Sequence, residues 1–239
     1  MLISGVTLTG TYIVDHFDIV TDSLYANYDA TVGISGATFA DATGNGHNAT
    51  LFNSPTTTTV NGYQVLRLSS AASQYFGDTV GYGNDLDAAF TYDVWCCPLT
   101  GNSPGVLISE WGEYPYNPGG WTTDLMGFAN STIQMGVYGT GYVTGPSWTL
   151  LNLYHIVMSY DGTGLTTYVN NSATGVTPGA KGLPGTTYLT MGAPGNDFIN
   201  IPNTPYFNGW IGAWKIYNRA LSAAEVSQNY NALRKRYGV

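Results

Sequence analysis

Charge is what this chain has least of. Only 9% of its 239 residues are Asp, Glu, Lys or Arg, and the cations are the rarer sign, seven against fifteen. Residues 1–180 hold one basic side chain, Arg67, against thirteen acidic ones, a net of −12; residues 181–239 hold six basic and two acidic, a net of +4. Such an acidic body repels phosphate backbones and anionic lipid, so neither nucleic acid nor a membrane surface is an expected partner. No apolar run reaches the length of a bilayer span. No Lys or Arg precedes Arg67, so the charged region that opens a secretory leader is missing, and synthesis in a cytoplasm without export by the general signal route is expected. Cysteine is nearly absent. Cys96 and Cys97 are neighbours, and adjacent strand residues face opposite ways, so two free thiols are expected rather than a disulfide, at least one of them buried. Glutamate occurs three times, as Glu110, Glu113 and Glu225.

What the chain does have is glycine (31) and tyrosine (19), with many Thr, Asn and Ser, a composition that suits short strands joined by polar turns. Tyr154, Ile156, Met158 and Tyr160 alternate with other residues, as do Leu165, Thr167 and Val169 after Asp161-Gly162. These two period-2 runs read as a hairpin, because Asp-Gly tolerates the backbone a tight turn needs. Further turn signals, such as Asp41–Gly46, Asn61-Gly62 and Pro194–Asn196, separate roughly twelve to fourteen candidate strands. Nothing has the rhythm of alternating strands and helices, so a single all-β domain is expected.

One helix is well signalled. Ser222-Ala-Ala-Glu225 is a capping box, Leu221 and Val226 stand at staple positions, and Val226, Tyr230, Leu233 and Tyr237 fall on one helical face before Gly238. Arg234, Lys235 and Arg236 then sit in the last turn, where cations favour the helix dipole. At the other end, Val6, Leu8, Tyr12 and Val14 alternate with threonines, so residues 1–20 read as a strand-forming arm. Its apolar face needs a partner: the chain's own sheet or a neighbouring subunit.

The ordered series of segments resembles the laminin-G-like, concanavalin A-like lectin/glucanase superfamily over about residues 22–237. Phe39–Leu51 is similar to the segment "DLSGNGNNGTL", Leu66–Phe76 to "LxFDGxxDYV" without its Asp-Gly, and Phe90–Pro98 to "FTISAWVKP". Tyr188–Gly192, the hairpin and the Phe207–Ser222 strand follow in the family's order. The resemblance implies an all-β, two-sheet antiparallel jelly-roll sandwich with one C-terminal helix on its edge, the arm 1–20 preceding a domain at 21–239. The ending Gln228–Gly238 also resembles the tails of laminin-G-like proteins of tailed bacteriophages. That implies a virion component that decorates a capsid or belongs to a head fibre or tail, made in host cytoplasm, with copies of itself and other virion proteins as partners.

Sites follow from the same resemblance, each beside a plainer reading. Trp111, Glu113, Tyr114, Tyr116, Asn117 and Trp121 crowd one loop, where flat rings can stack on sugar faces while carboxylate and amide select hydroxyls; core packing or a subunit contact is the alternative. Some relatives bind calcium at a sandwich rim, which makes Asp161, Asn196 and Asp197 candidate oxygen donors, although no dense acidic loop surrounds them. The glucanase branch uses Glu-x-Asp-x-x-Glu; Glu110-Trp-Gly-Glu113 lacks the central Asp, so a non-enzymatic protein is expected. His155 is expected as a packed strand residue. A structural and display protein with glycan adhesion is thus the expectation, with a free-standing carbohydrate-binding lectin and a glycoside hydrolase as alternatives.

Overall fold

The computed structural model describes residues 18–77, 85–86, 88–99, 105–112, 122–129, 131–137, 139–182, 187–193 and 206–239. The first half of the chain forms β1 (Leu24–Asp29), β2 (Ile34–Ser35), β3 (Thr38–Phe39), β4 (Ala49–Phe52), β5 (Thr56–Val60), β6 (Tyr63–Leu68), β7 (Tyr75–Gly77), β8 (Phe90–Pro98) and β9 (Gly105–Gly112). The second half forms β10 (Thr122–Ala129), β11 (Thr132–Val137), β12 (Gly141–Ser147), β13 (Tyr154–Tyr160), β14 (Gly164–Val169), β15 (Ser172–Pro178), β16 (Thr187–Met191), β17 (Gly209–Tyr217) and the helix α1 (Ala223–Tyr237). The described strands therefore outnumber the sequence estimate, because two-residue pieces such as β2 and β3 are too short to show a period.

The strands make two antiparallel sheets. One runs β15-β14-β13-β8-β17-β6-β5, with β1 also paired to β17; the other runs β12-β11-β10-β9-β16-β7-β4-β3-β2. Their facing sides enclose the main core, where Trp214 stacks on Tyr28 at 5.3 Å and meets Phe76 edge-on at 5.5 Å. This is the expected two-layer sandwich, and the hairpin across Asp161 is present as β13–β14 with Tyr160 opposite Leu165.

The helix lies elsewhere than expected. It packs across the outer face of the eight-stranded sheet instead of along its edge: Val226 joins Val157, Tyr168 and Tyr217, while Leu233 and Tyr237 join Val65, Trp95, Cys97 and Trp210. As a result β8, β13 and β17 are buried along their whole length. Alternation assigns Phe90, Tyr92, Val94 and Cys96 to the sandwich interior, and Asp93, Trp95 and Cys97 to the layer under the helix. Both cysteines are free and buried. Ser222 caps α1 reciprocally with Glu225, and Gly238 ends it at φ 83°. The buried helix positions are Val226, Asn229, Leu233 and Tyr237; Tyr230 is only partly covered and Asn229 takes the inward place. No described helix is long and apolar enough to cross a membrane.

Candidate functional site

Of the predicted sugar loop, the backbone of Trp111 is placed on β9, in register with Tyr188 and Thr122. Glu113, Tyr114, Tyr116, Asn117 and Trp121 lie outside the described residues, as do Asn196, Asp197 and the arm positions Val6, Leu8, Tyr12 and Val14. Asp161 is described, and its contacts are those of a turn: Oδ1 accepts from the Thr163 hydroxyl and from the amides of Thr163 and Gly164, each at 2.8 Å. Those hydrogen bonds, the Thr163 hydroxyl first, hold its carboxyl below the usual range. Among the described residues no three His, Cys, Asp or Glu side chains converge as a metal site would need.

Two of the three glutamates are bound up in the fold. Glu110 is buried, and its Oε2 lies 2.7 Å from Lys181 Nζ, with the ammonium 5.3 Å from the Phe90 ring centre. Glu225 joins the helix cap and accepts two hydrogen bonds from Arg219; these bonds hold its carboxyl down to about 2, against a smaller desolvation effect.

Under α1 the sequence reading missed a second buried polar group. Asp93 meets Lys215 at 2.9 Å and lies 3.1 Å from His155 Nε2, and Asn229 donates to its other oxygen at 2.8 Å. Asn229 also donates to Tyr217 Oη and accepts from the Val20 amide, while Tyr217 donates to the Val20 carbonyl. The expected packed strand histidine is found: His155 is fully buried with its ring 4.7 Å from that of Trp95. This group ties the incoming chain at Val20 to the helix and sheet. It is sealed from solvent, so its role is structural.

An open aromatic surface lies on the other side of the molecule. In β4 and β7, Leu51 and Phe76 face the core, so Phe52 and Tyr75 must face out. Their rings stack at 4.4 Å with planes 8° apart, and Tyr206 adds a third ring 6.1 Å from Tyr75. All three are half-buried. Thr50 and then Gly77 continue the face, and a Cβ on Gly77 would stand 2.7 Å from the Leu189 carbonyl, so only a glycine fits there. The end of the ledge is locked by Gln74, which donates to the carbonyls of Asn53 and Ser54 and accepts from the Ser69 amide. Burial first, then the neighbouring Tyr206, pushes the Tyr75 phenol up, so it stays neutral and can both donate and accept. The signal for this ledge was present as an aromatic at the outward position of each strand, but a short strand gives no second period to confirm it.

The two antiparallel sheets and the helix across the outer face of one of them define a jelly-roll sandwich domain. Residues 68–227 match the family described as the concanavalin A-like lectin/glucanases superfamily, well over half the chain, and the chain belongs to that family. Among solved structures, Trypanosoma rangeli sialidase in complex with 2,3-difluorosialic acid aligns with a TM-score of 0.68 at 15% identity over 92% of this chain. This chain spans 34% of that sialidase. Domain 4 of AbnA, a GH43 extracellular arabinanase from Geobacillus stearothermophilus solved with arabinotriose, aligns at 0.55 and 15% identity, covering 87% of this chain and 98% of that one. The binding domain of Paraclostridial Mosquitocidal Protein 1 aligns at 0.64 and 14% identity, covering 88% and 52%. At such identities the likeness is one of fold. No curated protein matches the sequence.

Proposed function

We propose that this chain is a non-catalytic glycan-binding and display module, and that it works as a component of a tailed-bacteriophage virion. The observation that carries glycan binding is the Phe52–Tyr75–Tyr206 ledge, a rigid neutral surface beside the Thr50 hydroxyl. Stacking on the apolar face of a pyranose or furanose with a few hydroxyl contacts is the chemistry such a surface offers. The arabinotriose complex of a similarly folded domain supports the same reading. A glycan array probed with the protein and with Phe52→Ala and Tyr75→Ala tests it. Each variant is expected to lose at least about tenfold in affinity, one lost stacking contact being worth about 1.5 kcal/mol. Undiminished array binding by folded variants overturns the assignment.

The non-catalytic part rests on the carboxylates. Hydrolysis of a glycosidic bond takes two carboxyls about 5–10 Å apart across a cleft, whereas Glu110 is neutralised by Lys181 in the interior and Glu225 is occupied by the helix cap. Release of product from a panel of chromogenic glycosides would refute it. The virion part rests on the Gln228–Gly238 ending, which resembles the tails of laminin-G-like proteins of tailed bacteriophages. Mass spectrometry of purified particles from an infected culture carrying this gene tests that placement; absence of the chain from the particles rejects it.

A further inference from the structure

A sugar that carries a carboxylate, phosphate or sulfate must exchange the water around that charge for donors of comparable strength when a protein binds it. Arginine and lysine are the strongest such donors, and the N-terminus of a helix is the other ready source. Where these groups stand is known for the whole chain, because all seven Lys and Arg side chains fall among the described residues.

None of the seven is placed on the aromatic ledge. Lys181 lies between the sheets with its ammonium on Glu110, and Lys215 lies under α1 on Asp93; both are all but sealed from solvent. Arg67 stands opposite Trp210, on the same face of β6 as Val65 and so on the side that α1 covers. Its guanidinium donates to the Gly209 carbonyl at 3.1 Å and to Asn208 Oδ1 at 2.8 Å. Arg219 binds Asp22 and Glu225 beside the start of α1. Arg236 binds Asp29, and Arg234 and Lys235 share its turn at the end of α1, which packs on the eight-stranded sheet. The ledge belongs to the other layer: Phe52 and Tyr75 look outward from β4 and β7 of the nine-stranded sheet. The N-terminus of α1 is closed to an outside anion as well, since Glu225 Oε2 already accepts from the Ser222 amide at 2.8 Å.

We propose that the Phe52–Tyr75–Tyr206 ledge selects uncharged glycans and rejects those bearing carboxylate, phosphate or sulfate. The inference rests on the ledge being a sugar site and names the class of sugar it takes. The groups around the rings are hydroxyl and amide. Thr50 continues the face, and Asn53 and Gln74 close its end with their side-chain amides committed to the carbonyls of Ser73, Asn53 and Ser54. A neutral sugar asks for no more than this, because each of its hydroxyls can both donate and accept. An acidic sugar seated on the same rings would lose part of its hydration with no cation opposite. The body of the molecule adds repulsion at longer range: residues 1–180, which include Phe52 and Tyr75, sum to −12. The sequence holds no further Lys or Arg to alter that balance.

The test sets each neutral glycan beside its acidic counterpart on one array: galactotriose with trigalacturonate, lactose with sialyllactose, an oligomannose with its phosphate. The full chain is read above about pH 8, beyond the titration of free imidazole. In every pair that binds, the neutral member should hold at least about tenfold more tightly, the scale of one hydrogen bond to a charged group left unmade. Thr50→Arg sets a cation beside the rings and should raise binding of the acidic member about tenfold, closing the gap. Ser54→Lys, at the exposed end of the ledge, supplies a second placement should the first variant not fold. Equal or tighter binding of the acidic members by the wild type, lost in Phe52→Ala, overturns the selectivity and leaves the ledge a sugar site. A folded variant with the added cation that still turns the acidic members away does the same. Binding that survives Phe52→Ala puts the sugar elsewhere and overturns both readings, as does an array without signal.

Discussion

Lys215 Nζ lies 2.9 Å from Asp93 Oδ1 beneath α1, and both side chains are all but sealed from water. Burial alone would raise the Asp93 carboxyl; the charges of Lys215 and the adjacent His155 outweigh it and hold the group well below the usual range. Removing one member leaves the other charged and dry. Asp93→Ala is therefore expected to cost about 3–5 kcal/mol, a Tm fall on the order of 10 °C for a chain of this size. Asp93→Leu combined with Lys215→Met should recover much of the loss. Thermal melts of the three proteins decide the point, and a Tm for Asp93→Ala within a few degrees of wild type would show that the ion pair is not what holds the helix down.

The same depression has a pH consequence. A carboxyl lower in the folded than in the unfolded state contributes fully above its unfolded pKa, near 4, and the contribution fades as pH falls toward the folded value. Stability should thus drop below about pH 4, and the Asp93→Leu/Lys215→Met protein should show a shallower drop. Denaturant midpoints measured through that window should differ in slope; parallel curves would assign acid sensitivity to other carboxylates.

Glu110 and Lys181 make a second buried pair, this one between the sheets. Lys181 arrives from the segment after β15, and its amide donates to Tyr160 Oη at 2.6 Å while its ammonium meets Glu110. Lys181→Met should strand the carboxylate and destabilise by about 3 kcal/mol. Adding Glu110→Gln should return part of that, since a neutral amide costs less to bury. A double-mutant cycle by chemical denaturation reads the coupling directly, and additive losses would mean the two groups do not communicate.

Much of this architecture was legible because period-2 alternation and turn residues are local. Asp161-Gly162 and the Ser222–Glu225 box announced the hairpin and the helix start, and the family's segment order supplied the sandwich. What sequence could not locate was the surface on which α1 lands. Strand β13 reads as alternating Tyr, Ile, Met and Tyr against His155, Val157 and Ser159; the second set is buried only because a helix distant in sequence covers it. Asn229 likewise reads as a polar helix residue until Val20, Asp93 and Tyr217 converge on it. The aromatic ledge was hidden for the opposite reason: Phe52 and Tyr75 look like core residues until Leu51 and Phe76 beside them are seen to take the inward places.

Gly212 shows how closely that helix is seated. A Cβ there would enter the Tyr237 ring, and Tyr237 is itself packed on Trp95 at 5.1 Å. Gly212→Ala should cost about 1–3 kcal/mol through overpacking and should loosen the last turn of α1 first. Hydrogen exchange at residues 233–237 should speed up while exchange in β8 stays slow. Uniform protection across both elements would mean the ring simply swings aside.

The two thiols give an independent readout of the same interface. Cys96 faces the sandwich interior and Cys97 the layer under α1. Burial pushes Cys97 up to about 11, and burial first, then the neighbouring Cys97, pushes Cys96 well above the ordinary thiol value. Since the thiolate is the reactive form, only about one Cys97 in a thousand is ionised near pH 8. The native protein should resist iodoacetamide, with both residues labelled once it is denatured. Because α1 covers only Cys97, Gly212→Ala should accelerate labelling of Cys97 while leaving Cys96 protected, which peptide mass spectrometry can separate. Equal labelling of both in that variant would show that the sandwich opens as a whole, and that the helix and the sheet beneath it form one cooperative unit.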